Sequence, residues 1–156
     1  MSVPGSQLEE SAGSQLEQGA GEDPRTTRST GSARSSRSID ELLAEARSTL
    51  ARVTPQQARQ ACIEQGAVLI DIRPVAQREQ GAPTDAVVID RNVLEWRLDP
   101  SSDAKLPIAA YDLPVILICQ QGYSSSLAAA TLQQLGIWRA TDVIGGYEAW
   151  RAAGLA

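Results

Sequence analysis

Histidine is absent from the 156 residues, methionine occurs once and cysteine only twice, at Cys62 and Cys119. Without histidine, neither Ser-His-Asp nor Cys-His catalysis can be assembled within this chain, and no histidine-rich metal site is available. No segment approaches the roughly 20 apolar residues of a membrane-spanning helix. The first residues lack the basic and apolar blocks of a signal peptide, and their acids argue against a transit peptide. A cytoplasmic setting is therefore expected, and in that reducing setting the two cysteines stay unpaired. Basic clusters are also missing: net charge is −5, which argues against a nucleic-acid surface. No membrane partner, metal or cofactor is expected.

What is present divides unevenly. Residues 1–37 are rich in Ser, Gly, Glu and Arg, with Leu8 and Leu16 the main aliphatics. Such a segment cannot bury enough apolar surface to offset its ordering entropy, so it reads as a disordered tail. Residues 38–156 read as one domain. It opens with an amphipathic helix over 38–51, where Ser38 and Glu41 make a capping box and Ile39, Leu42, Leu43, Ala46 and Leu50 form the stripe. A second helix starts at Thr54-Pro55 and stops at Gly66, with Cys62 on its apolar face as a small buried hydrophobe.

Apolar runs then follow at 68–70, 85–90, 113–119 and 140–146, with helical patterns at 92–98, 124–135 and 147–153. Continuous apolar runs suit strands buried on both faces. Strands alternating with helices imply an α/β domain with a mostly parallel sheet and helices on both faces.

The stretch "ILICQQGYSSSL", 116–127, carries the chemistry. Cys119 ends the strongest apolar run, and ligands of parallel α/β sheets bind beyond the carboxyl ends of the strands. Gly122 lets the chain curl, and a helix begins near Ser124, its free N–H groups facing the loop. A helix N-terminus favours a thiolate over a thiol. The local pattern alone fits a reactive thiolate and an inert cysteine equally well.

Three stretches together resemble the rhodanese-like sulfurtransferases: "CQQGYS" at 119–124 is similar to that family's six-residue active-site loop, "VLIDIRP" to its Asp-Val-Arg segment, and "VIGGYEAWRAAGL" at 143–155 to its C-terminal Gly-Gly-aromatic-x-x-Trp segment. The resemblance spans roughly residues 52–156. It implies a three-layer domain around about five short strands. It also implies a two-step transfer, in which sulfane sulfur passes from a donor such as thiosulfate to Cys119, as a persulfide, and then to a thiol or cyanide. A protein sulfur-relay partner fits the same chemistry. The loop departs from the family in having Gln120 and Gln121 where Arg or Lys is frequent, and "GAPTDA" at 81–86 replaces a Gly-His-Ile-Pro-Gly-Ala stretch.

Candidate substrate contacts are thus Gln120, Gln121, Gly122, Tyr123, Ser124 and Ser125, with Ser124 and Ser125 also suited to capping the helix. Arg73 and Arg91 follow strand carboxyl ends and could supply the missing cation. Arg73, two residues after Asp71, equally suits a structural ion pair. Trp96 is placed either at the pocket mouth or in the core, and Trp150 with Leu155 on the sheet. A phosphatase would need an Arg at the sixth position after the cysteine, which is Ser125. A redox sensor would need a resolving cysteine, and Cys62 faces the core. A non-catalytic binding module, or a persulfide carrier for one protein, is the main alternative.

Overall fold

The computed structural model describes residues 35–156, so the tail expected over 1–37 lies outside the described residues except for its last three positions. Four strands, β1 (Val68–Asp71), β2 (Val87–Val88), β3 (Val115–Ile118) and β4 (Thr141–Asp142), form one parallel sheet in the order β2-β1-β3-β4. About five strands were expected. The place of a fifth is taken by an isolated parallel bridge between Val53 and Val143, too short to count as a strand.

The helices are α1 (Ile39–Ser48), α2 (Pro55–Glu64), α3 (Val75–Arg78), α4 (Leu94–Leu98), α5 (Ser124–Gln134) and α6 (Gly146–Ala152), with a 3-10 turn at Arg91–Val93 leading into α4. Capping boxes start α1 at Ser38 with Glu41, and α2 at Thr54 with Gln57. Each satisfies backbone donors that the first helical turn leaves unpaired. The short α3 carried no periodic signal in the sequence.

Alternation along the central strands builds two cores, one on each face. Ile70, Val115 and Leu117 pack with Leu94, Leu98, Ala128, Ala129 and Leu132. Leu69, Ile116 and Ile118 pack on the other face with Ala58, Val143, Tyr147 and Trp150. Trp150 is sealed there as expected, its indole N–H donating to the Leu155 carbonyl at 2.9 Å. Each buried Leu or Ile contributes roughly 1.5–3 kcal/mol, so the two central strands hold the frame rigid.

Two expectations need correcting. The 85–90 run is not a doubly buried strand: only Val87 and Val88 pair, and both are exposed, because β2 is the sheet edge. The buried face of α4 is Leu94 and Leu98, whereas Val93 and Trp96 face solvent. Helix α1 packs on α5, burying Leu43 and Ala46 and leaving Ile39 and Leu42 exposed. No helix among the described residues is long and apolar enough to cross a membrane.

Candidate functional site

Cys119 follows directly on β3, which the topology places between β1 and β4. Burial of β3 on both faces fixes the position of the cysteine. The chain then turns through Gln120–Tyr123 into α5. Gly122 has φ +82, and a side chain there would come within 2.8 Å of the Gly145 nitrogen. Gly146 has φ +60, and its missing Cβ leaves room for the Cys119 carbonyl, which would lie only 2.5 Å away. The Gly-Gly pair at the start of α6 therefore exists to let the loop lie against it.

That contact orients the loop. The Cys119 carbonyl accepts from the Tyr147 amide at 2.8 Å, and the Gln120 carbonyl accepts from the Glu148 amide at 3.1 Å. The Gly122 carbonyl accepts from two guanidinium groups, Arg47 at 2.8 Å and Arg52 at 3.1 Å. The Gly122 amide reaches the Cys119 sulfur at 3.1 Å.

Cys119 is 6% exposed and lines a cleft of about 340 Å³. The walls include Ile72, Pro74, Arg91, Gln120, Tyr123 and Ser124. Burial opposes ionisation of the Cys119 thiol. The Ser125 hydroxyl and amide, the Ser124 hydroxyl and the Gly122 amide outweigh it, holding the thiol pKa below its ordinary value. Cys62 is the reverse: burial raises its pKa, beyond what a bond from the Leu69 backbone recovers.

Behind the sulfur lies a buried polar chain. The Cys119 thiol donates to the Ser125 hydroxyl oxygen at 3.1 Å, and Ser125 donates to Asp142 at 2.7 Å. Asp142, fully buried, also accepts from the Ser126 hydroxyl at 2.8 Å and from Arg52 at 2.8 and 3.1 Å. No buried side-chain polar atom among the described residues lacks a partner.

The loop residues named from the sequence are brought together, with different surroundings. Gln120 accepts from Arg73 at 3.1 Å, and Gln121 donates to Glu148 at 3.3 Å. Tyr123 is exposed beside the cleft, and Ser124 opens α5 on the cleft wall, whereas Ser125 points inward to Asp142. Arg73 is almost fully buried, forked onto Asp71 at 2.7 to 3.2 Å and stacked over Tyr147 at 3.9 Å. Arg91 reaches the cleft but pairs with Glu95 at 2.8 and 3.0 Å. Trp96 is neither at the mouth nor in the core: it lines a separate shallow depression with Glu95, Asp99 and Leu135. No cluster of metal-ligating side chains occurs among the described residues.

Sequence reading missed Arg47, Arg52, Ser126 and Asp142. The only sequence signal for Asp142 was an acid inside an otherwise apolar strand pattern. The two arginines gave none, because their partners lie 70 or more positions away.

Known proteins share this sequence pattern and fold. The profile of the rhodanese-like domain family matches residues 54–153. The thiosulfate sulfurtransferase GlpE of Pseudomonas savastanoi pv. phaseolicola is 38% identical over 101 residues, covering 65% of this chain and 87% of that protein. The protein of the same name from Actinobacillus pleuropneumoniae serotype 3 is 32% identical, with 69% and 92% covered. Among solved structures, a Rhodopseudomonas palustris protein of unknown function, described as a possible tyrosine phosphatase, superposes with a TM-score of 0.71 at 31% identity, over 78% of this chain and 94% of that one. The polysulfide-sulfur transferase homodimer of Wolinella succinogenes shares the fold at a TM-score of 0.60 and 23% identity, over 72% of this chain and 81% of that one. The chain belongs to the rhodanese-like domain family.

Proposed function

We propose that this protein is a rhodanese-type sulfurtransferase in which Cys119 carries the sulfur. The observation that carries the reading is the Cys119 thiol itself. Its residue lines the cleft, with the Gly122 amide on its sulfur and its pKa held below the ordinary value. Relatives named thiosulfate sulfurtransferase support the same reading.

The Cys119 thiolate attacks the outer sulfur of a donor such as thiosulfate. The donor's S–S bond breaks and sulfite leaves with the electron pair. The new bond makes a persulfide whose terminal sulfur is anionic, and the Gly122 and Ser125 amides stabilise it as donors preorganised for charge. Cyanide or a thiolate acceptor then attacks that terminal sulfur, and Cys119 departs as the thiolate. No general base is required, because the loop supplies the anion.

The cleft is short of free positive charge: Arg73 is neutralised by Asp71 and Arg91 by Glu95. This supports a persulfide donor, or a protein delivering one, alongside thiosulfate. A phosphatase reading gains nothing from the loop. Its sixth position after Cys119 is Ser125, turned to a buried carboxylate, where a phosphate clamp would need a guanidinium.

Steady-state thiocyanate formation from thiosulfate and cyanide tests the proposal, with Cys119→Ser as control. Turnover by the wild type and none by the variant supports it. Folded wild-type protein inactive with thiosulfate and with low-molecular-weight persulfides would leave only a binding module.

A further inference from the structure

Arg47 and Arg52 both precede the segment, 54–153, that matches the family profile, yet both reach into the candidate site. Arg47 sits in the last turn of α1 and Arg52 just before the Val53 bridge. Their guanidinium groups converge on a single acceptor, the Gly122 carbonyl, and Arg47 also donates to Ser126 at 3.2 Å. Both lone pairs of this one backbone oxygen thus face charged donors. The remaining pinned carbonyls of the loop, those of Cys119 and Gln120, are held by α6 amides inside the family segment.

Gly122 is held from both ends: its carbonyl takes the two arginines, and its own amide reaches the Cys119 sulfur at 3.1 Å. Glycine at 122, with φ +82, is the residue that allows both contacts at once.

We propose that Arg47 and Arg52 are positioning residues: from outside the family segment they fix Gly122 so that its own amide serves the anionic sulfur of Cys119. The inference rests on Cys119 being the working thiol. Helix α1 is then part of the working apparatus of the site, not an appendage to the domain. Other charged or titratable groups around the sulfur are Asp142 behind Ser125, Arg73 with Asp71, Arg91 with Glu95, Glu148 through Gln121, and the phenols of Tyr123 and Tyr147. None of them touches the Gly122 carbonyl, whose other neighbour is the Ser126 hydroxyl at 3.3 Å; Asp142 shares only the donor Arg52 with it.

The test uses the full chain and needs no sulfur donor, so it fails or succeeds separately from the proposed transfer reaction. The pH dependence of Cys119 alkylation by iodoacetamide is followed by mass spectrometry in wild type, Arg47→Gln and Arg52→Lys, at low salt and at about 0.5 M NaCl, where exposed charges are screened within a few ångströms. A rise of ~0.5–1 unit in the alkylation midpoint is expected in each variant, slowing labelling about three- to tenfold below the midpoint and little at the high-pH plateau. It should persist in salt, since it comes from peptide orientation. Profiles that superimpose on wild type, or a shift that salt abolishes, would overturn the proposal. In the unsubstituted protein the Gly122 amide resonance should titrate with the Cys119 midpoint. A Gly122 amide indifferent to Cys119 ionisation would overturn it even if both variants failed to fold.

Discussion

Ser125 gives its one hydroxyl proton to Asp142, across 2.7 Å, while accepting the proton of the Cys119 thiol across 3.1 Å. A hydroxyl has one proton to give. When Cys119 ionises, Ser125 must turn that proton from the carboxylate to the sulfur. Asp142 then keeps Ser126 and Arg52 as donors. The carboxylate therefore competes with the thiolate for Ser125.

Asp142→Asn tests that competition. The amide can donate to the Ser125 oxygen and release its proton toward Cys119. Both that and the loss of a negative charge lower the thiol pKa, so alkylation at pH 6 to 7 is expected to accelerate about three- to tenfold. Stability falls, by about 2–4 kcal/mol in urea denaturation, because Arg52 loses its buried partner. Slower alkylation in a folded variant would contradict the competition.

The two thiols should separate in reactivity. Near pH 7, iodoacetamide should label Cys119 before Cys62, since burial with hydrogen bonding favours one anion and burial without enough of it disfavours the other. Peptide mapping of a partly labelled sample reads the order directly. Preferential labelling of Cys62 would contradict it.

A low thiol pKa in the fold has a stability consequence. The unfolded thiol titrates near pH 8.5, and the folded Cys119 below its ordinary value. Its contribution is complete above the unfolded pKa and is lost as pH falls through the folded one. The stability of wild type minus Cys119→Ser should therefore grow as pH rises toward about 9. Cys62 is common to both proteins and cancels. A difference that shrinks with rising pH would contradict the assignment.

The frame was legible in the sequence because its signals are local. The apolar run ending at Cys119 and the Ser38 and Thr54 caps each act within a few residues, and the Gly-Gly pair before Tyr147 is visible as a local motif although it acts on the distant Cys119 loop. The exposure of β2 was not legible, because an edge strand and a central strand share one apolar pattern. Nor could Trp96 be placed, since Leu94 and Leu98 offered an equally periodic face. The chain from Arg52 through Asp142 to Ser125 joins positions distant in sequence, and only the assembled sheet brings them together.

Charge in the cleft can be altered without touching the loop. Glu95 neutralises Arg91 at 2.8 Å. Glu95→Gln should free that guanidinium for an anionic donor and lower the thiosulfate KM about two- to fivefold, the size expected of a half-exposed pair, with the gain diminishing in salt. An unchanged KM would place Arg91 off the donor's path.

Crowding against the loop sets the narrowest tolerance. A methyl at Gly146 would lie 2.5 Å from the Cys119 carbonyl and 2.7 Å from the Gly122 nitrogen, at φ +60. Gly146→Ala should cost about 1–3 kcal/mol of stability and disturb the cradle. Thiocyanate formation is expected to fall at least about tenfold at temperatures where the variant stays folded. Full activity would mean that the contact between the loop and α6 does not position Cys119.

Intact-mass spectrometry after incubation with thiosulfate, or with a low-molecular-weight persulfide, asks most directly whether the amide-lined thiolate carries sulfur. The expected result is one added sulfur atom, mapped to Cys119, removed by cyanide and absent from Cys119→Ser. A folded protein that gains no sulfur from either donor, or gains it on Cys62, would contradict the account.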